Sequence, residues 1–181
     1  KAVVALFGSL KNVNAVPEIT DIFLNDSNNG VVMIAAGALG EIKDARAVEP
    51  LLTEFTRKGE RRYVLSSVIF ALGSLQDKRA TRPLLDYLKS PKVARSKYAA
   101  YTKNMIYGAL AKIRDASSVN EIGENLMIEK DEKVIENGLT ALLQINDKAA
   151  VDVIDRLLTR ADLSESLRAY ALKVKEKLLK N

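Results

Sequence analysis

The chain has 181 residues, of which 48 % are apolar and 28 % charged, with a net charge of +5. That is long enough to bury a sizeable core and too apolar for disorder. It contains no cysteine, histidine or tryptophan. This removes disulfides, thiolate chemistry, the usual base at neutral pH and the commonest metal ligands.

Lys1 is not a methionine, and residues 2–6 are already apolar. The chain is therefore expected to begin inside an element and to be the C-terminal part of a longer polypeptide, forming one domain over residues 1–181. Five segments then share a pattern. They open at Ala5-Leu6, Ala38-Leu39, Ala71-Leu72, Ala109-Leu110 and Ala141-Leu142, and a partial sixth opens at Ala171-Leu172. The leading alanines are 33, 33, 38, 32 and 30 residues apart. In the second to fifth copies an apolar residue follows the alanine by four, a helical stripe. Each segment ends on Asn12, Asp44, Asp77, Asp115 or Asp147. Short acidic or amide side chains there accept the unpaired N–H groups that open a second helix.

The second apolar groups follow at once: Val16/Ile19/Phe23, Val48/Leu51/Leu52/Phe55, Leu84/Leu85/Leu88, Val119/Ile122/Leu126 and Val151/Ile154/Leu158. Their spacing of 3, 4 and 7 is again helical. Pro17, Pro50 and Pro83 stand near these starts, where proline is tolerated. The spacing predicts a 3₁₀ or irregular turn and then regular helix. Asn25–Gly30, Arg57–Glu60 and Ser90-Pro91 read as loops between units. The lysine-rich stretch 173–181 reads as an amphipathic closing helix. The predicted core includes Leu6, Leu39, Leu51, Leu52, Leu72, Leu84, Leu85, Leu110, Ile122, Leu142 and Ile154. The small residues Ala5, Ala38, Ala71, Ala109 and Ala141 are placed to let neighbouring helices approach closely.

Ala38-Leu39-Gly40 with Asp44-Ala45-Arg46-Ala47-Val48-Glu49-Pro50-Leu51-Leu52, and Ala71-Leu72-Gly73 with Asp77-Lys78-Arg79-Ala80-Thr81-Arg82-Pro83-Leu84-Leu85, resemble HEAT repeats of the short kind also found in phycobilin lyases. The resemblance covers nearly the whole chain, and the first, fourth and fifth copies match more loosely. It implies an all-α fold: a right-handed α-solenoid of about five helix pairs plus a terminal helix, whose second helices line a concave binding surface. By the same pattern Arg46 and Arg79 belong to the framework between repeats.

No catalytic grouping emerges. The turn aspartates recur once per unit and read as caps. The Gly37–Gly40 glycines lie inside an apolar helix and read as packing residues, without the strand or the Lys-Ser/Thr of a phosphate loop. No catalysis, cofactor or metal is expected.

One feature does not repeat. Residues 57–114 hold 14 lysines and arginines against Glu60, Asp77 and Asp86, a net charge of +11, while the rest of the chain carries −6. Five of the six tyrosines fall there too: Tyr63, Tyr87, Tyr98, Tyr101 and Tyr107. Charge asymmetry speaks about partners, not fold. The contact residues predicted are Arg82, Tyr87, Lys89, Lys92, Arg95, Lys97, Tyr98, Tyr101 and Lys103. One long helix is expected to carry the residues from Lys92 to Lys103, with Tyr101 on the side of Lys97 and Tyr98. Glu49, Thr53, Asp86, Glu124 and Asn125 are expected beside the second-helix members on the concave face. Three functions stay open: a protein-interaction scaffold with an acidic partner, a nucleic-acid-binding module, and a bilin lyase-like protein. The basic stretch read as ordinary solvated surface remains the alternative to any site.

Overall fold

The computed structural model describes residues 2–57 and 64–180. The helices follow the predicted order. The pairs are α1 (Ala2–Ser9) with α2 (Val16–Asn25), α3 (Asn29–Ile42) with α4 (Val48–Thr56), and α5 (Leu65–Leu75) with α6 (Thr81–Leu88). A one-turn insert, α7 (Pro91–Ala94), precedes the pair α8 (Ala99–Ile113) and α9 (Val119–Ile128). The last pair is α10 (Glu132–Ile145) with α11 (Ala149–Leu158), and α12 (Glu165–Lys180) ends the chain. There is no strand among the described residues. Among the described residues this is an all-α fold of five helix pairs and a terminal helix, the repeat architecture of a solenoid. The insert α7 accounts for the one long repeat.

The pairs are joined by the same device each time. The first helix ends on a residue in the left-handed region, Lys11, Lys43, Gln76, Arg114 or Asn146, with φ between 49° and 59°. The next side chain then caps: Asn12, Asp44, Asp77, Asp115 and Asp147 accept from the N–H two residues on, at 2.9–3.2 Å. In the first four copies a 3₁₀ turn follows, and the α-helix begins just before the proline position. Left-handed backbone costs a side-chain-bearing residue about 1 kcal/mol, so the cap and the turn must hold it in place.

Contacts divide the chain into two units, residues 1–83 and 84–181. In the first, α3 packs between α1 and α5, α2 lies against α3 and α4, and α4 lies against α5. Close approach is enforced where a Cβ would not fit. A Cβ on Gly8 would lie 2.8 Å from Ala38 Cα, and one on Gly40 would lie 2.7 Å from Ala71 Cα. Two arginines tie turn to turn. Arg46 forks onto Asp44 and donates to the Val13 carbonyl at 2.7 Å; Arg79 forks onto Asp77 and reaches Glu49 at 3.0 Å. Both are framework residues, as the pattern of the repeat implied. In the second unit α8, α10 and α12 stack in order, α9 lies beside α11, and α7 rests on α8. Arg160 forks onto Asp162 and donates to the Leu126 carbonyl at 2.6 Å, a tie of the same kind that no sequence pattern announced.

Leu39, Leu51, Leu72, Leu84, Leu85, Leu110, Ile122, Leu142 and Ile154 are buried. Leu52 is half-buried, and Ala5 and Leu6 are exposed, against expectation. The first copy is aligned one residue out. Asn12 stands 32 residues before Asp44, not 33, so Phe7 rather than Leu6 takes the place of Leu39.

Candidate functional site

The basic segment divides into charges that the protein uses on itself and charges that it presents. Lys58, Arg61, Arg62 and Tyr63, with Glu60 and most of the expected 57–60 loop, lie outside the described residues. Arg82 is exposed and belongs to the first unit. The other candidates belong to the second.

Lys89, at the end of α6, donates to Glu121 at 2.6 Å and to Glu124 at 3.4 Å, both on α9. The Glu121 carboxylate foremost holds the Lys89 ammonium above its ordinary pKa, against a smaller opposing effect of burial, with Glu124 adding to it. Lys103 on α8 pairs with Glu129, which follows α9. Burial pulls the Glu129 carboxyl up. Lys103 and the backbone N–H groups of Asp131 and Lys130 outweigh that and leave it below its ordinary value. Lys89 is thus neutralised by acids of the following repeat, and Lys103 by the acid that follows the second helix of its own repeat. Tyr107 is core, not contact surface: burial and the Glu129 charge push its phenol up. Tyr87 is half-buried.

Between these two lysines the chain turns a corner. Ser90 caps α7, accepting from the Val93 N–H, and the buried Val93 side chain anchors the turn. Arg95 closes α7 with its N–H donating to the Pro91 carbonyl at 3.1 Å. Ser96 Oγ then accepts from the Tyr98 N–H at 3.1 Å, and α8 starts at Ala99. The single long helix expected from Lys92 to Lys103 is therefore broken. Only Tyr101 and Lys103 of the named residues lie on α8, and Lys97 pairs with Tyr98, not Tyr101. Its Nζ stands 5.0 Å from the Tyr98 ring centroid, in cation–π range. Lys92, Arg95, Lys97, Tyr98 and Tyr101 are all exposed. Lys92, Arg95 and Lys97 have no ion-pair partner among the described residues.

The second-helix face is more self-contained. Glu49 pairs with Arg79, Glu124 with Lys89, Thr53 donates to the Glu49 carbonyl, and Asn125 donates to the Glu121 carbonyl. Among the described residues no group of three or more acidic side chains could hold a metal ion, and no helix is long and apolar enough to cross a membrane.

Residues 16–103 match the family model described as HEAT repeats. Those residues carry HEAT repeats, a kind of repeat that generally serves as a protein-interaction scaffold. No curated protein matches the chain. A solved structure described as human deoxyhypusine hydroxylase in complex with glycerol is similar to it at 14 % identity and a TM-score of 0.44, covering 98 % of this chain and 89 % of that one. That likeness says nothing about the chemistry of this HEAT-repeat chain.

Proposed function

We propose that this HEAT-repeat chain is a non-catalytic scaffold that binds a partner protein with an acidic surface at the corner between α7 and α8. One observation carries the reading. Three cations, Lys92, Arg95 and Lys97, stand exposed beside Tyr98 and Tyr101 without an ion-pair partner among the described residues, while Lys89 and Lys103 on either side are neutralised. Exposed charges speed association and select the partner; a tyrosine that becomes buried slows release.

The test is an anisotropy titration with a labelled peptide rich in Asp and Glu and with a labelled 20-base-pair duplex. Lys92→Glu with Arg95→Glu and Lys97→Glu is expected to weaken the peptide complex at least tenfold and flatten its salt dependence. Lys89→Met is expected to change it less than twofold, because that ammonium is already satisfied. Tyr98→Ala should act mainly on the off-rate. Tighter binding of the duplex, lost in the triple variant, would replace this reading with the nucleic-acid one.

A further inference from the structure

The second helices of the first unit carry the charge that the α7–α8 corner lacks. α2 and α4 contain Glu18, Asp21, Glu49 and Glu54, and neither a lysine nor an arginine. Glu54 is buried and bound by Arg57. The other three are exposed. Glu18 and Asp21 stand three residues apart, on one side of α2. Neither has an ion-pair partner among the described residues, and Asp21 accepts from the amide of Asn25 at 2.8 Å. Glu49, at the start of α4, shares Arg79 with Asp77. Two carboxylates there face one guanidinium, so one negative charge is left over. Three uncompensated carboxylate charges thus match the three uncompensated cations of the corner, Lys92, Arg95 and Lys97.

The second helices of the other unit offer no such surface. Glu121 and Glu124 on α9 are taken up by Lys89. On α11 Asp155 pairs with Lys175, and Arg156 stands exposed on the same helix. The α2 stripe also has apolar ground beside it: Pro17 is exposed next to Glu18. A tyrosine laid on that ring would lose water from its face. The net charge of +5 does not forbid two copies from meeting. In about 0.1 M salt exposed charges more than roughly 10 Å apart are largely screened from one another, so local charge decides docking.

We propose that the acidic partner of the corner is a second copy of this chain, which presents Glu18 and Asp21 of α2, with Glu49 of α4, to Lys92, Arg95 and Lys97. The inference rests on the reading of the corner as a surface for an acidic partner, and it names that partner. The contact joins two different faces. A pair of copies therefore leaves one face of each sign free, and growth continues beyond two unless a ring closes. Exposed ion pairs are individually weak, so the association is weak and sensitive to salt.

The test is sedimentation velocity of the native chain. In about 20 mM salt the sedimentation coefficient is expected to climb with protein concentration, and in about 300 mM salt to stay flat. Glu18→Lys with Asp21→Lys is expected to weaken association about tenfold, and so is Lys92→Glu with Arg95→Glu and Lys97→Glu. Helicity should be unchanged in both variants, because every residue replaced is exposed. Mixing the two variants in equal amounts is expected to restore association, since each supplies the face that the other has reversed. A flat coefficient at low salt would overturn the proposal. So would association that either variant leaves intact, or a mixture that stays monomeric. Binding of the Asp- and Glu-rich peptide separates this inference from the reading it rests on. A native chain that binds the peptide and stays monomeric refutes the second copy alone; one that does neither refutes both.

Discussion

At the scale of single residues, the turn carboxylates are where charge and stability meet. Hydrogen bonds from the Arg46 side chain, and then from its N–H, lower the Asp44 carboxyl from 3.8 to about 2. A carboxyl whose pKa falls on folding adds stability that is full above its unfolded pKa and is lost as pH drops to the folded one. The thermal midpoint of the native chain should therefore exceed that of Asp44→Asn by a constant margin above about pH 4. The margin should shrink between pH 4 and 2, read by circular dichroism. A margin unchanged down to pH 2 would show that the charge of Asp44 contributes nothing. The caps were legible because Asn or Asp recurs at one offset. The left-handed residue before each cap was not: only Asn146 is of a type that favours that conformation, and Lys, Gln and Arg announce nothing. The pairing of Lys89 and Lys103 was hidden for another reason. Their partners lie 26 to 35 residues downstream, so only folding brings them together.

At the scale of the helix, two glycines three residues apart separate packing from propensity. A Cβ on Gly37 meets nothing within 4 Å, whereas one on Gly40 meets the Ala71 backbone at 2.7 Å. Gly37→Ala should gain about 0.5–1 kcal/mol from helix propensity. Gly40→Ala should cost about 1–3 kcal/mol, because α3 and α5 must move apart. Urea unfolding of the two variants checks both signs. The sequence pattern placed both glycines in a close-packed helix and could not say which one touches. It also misaligned α1: Ala5-Leu6 imitates Ala38-Leu39, and only the turn position reveals the one-residue slip. The start of α7 was marked by Ser90-Pro91, whereas the break between α7 and α8 was unmarked; there the Ser96 hydroxyl accepts from the Tyr98 N–H.

At the scale of the molecule, repeat energetics predict how damage spreads. The boundary between the two units falls inside one helix, α6, and not in a linker. We therefore propose that residues 1–181 unfold as one domain. A single urea transition, coincident by far-ultraviolet dichroism and by labelling of a buried engineered thiol, is the expected result; two separated transitions would refute it. Leu85 is buried, and Leu85→Ala should cost about 2–5 kcal/mol. Because stacked repeats contact only their neighbours, hydrogen exchange should rise first beside α6 and least in α12.

We propose that the corner between α7 and α8 is the surface this scaffold presents to an acidic partner, and hydrogen exchange of the intact chain, with and without a saturating Asp- and Glu-rich peptide, is the sharpest test. Slowed exchange concentrated in residues 90–103, abolished by Lys92→Glu with Arg95→Glu and Lys97→Glu, is the expected result. Protection centred on α2, α4 and α9, or protection that survives the triple variant, would contradict it.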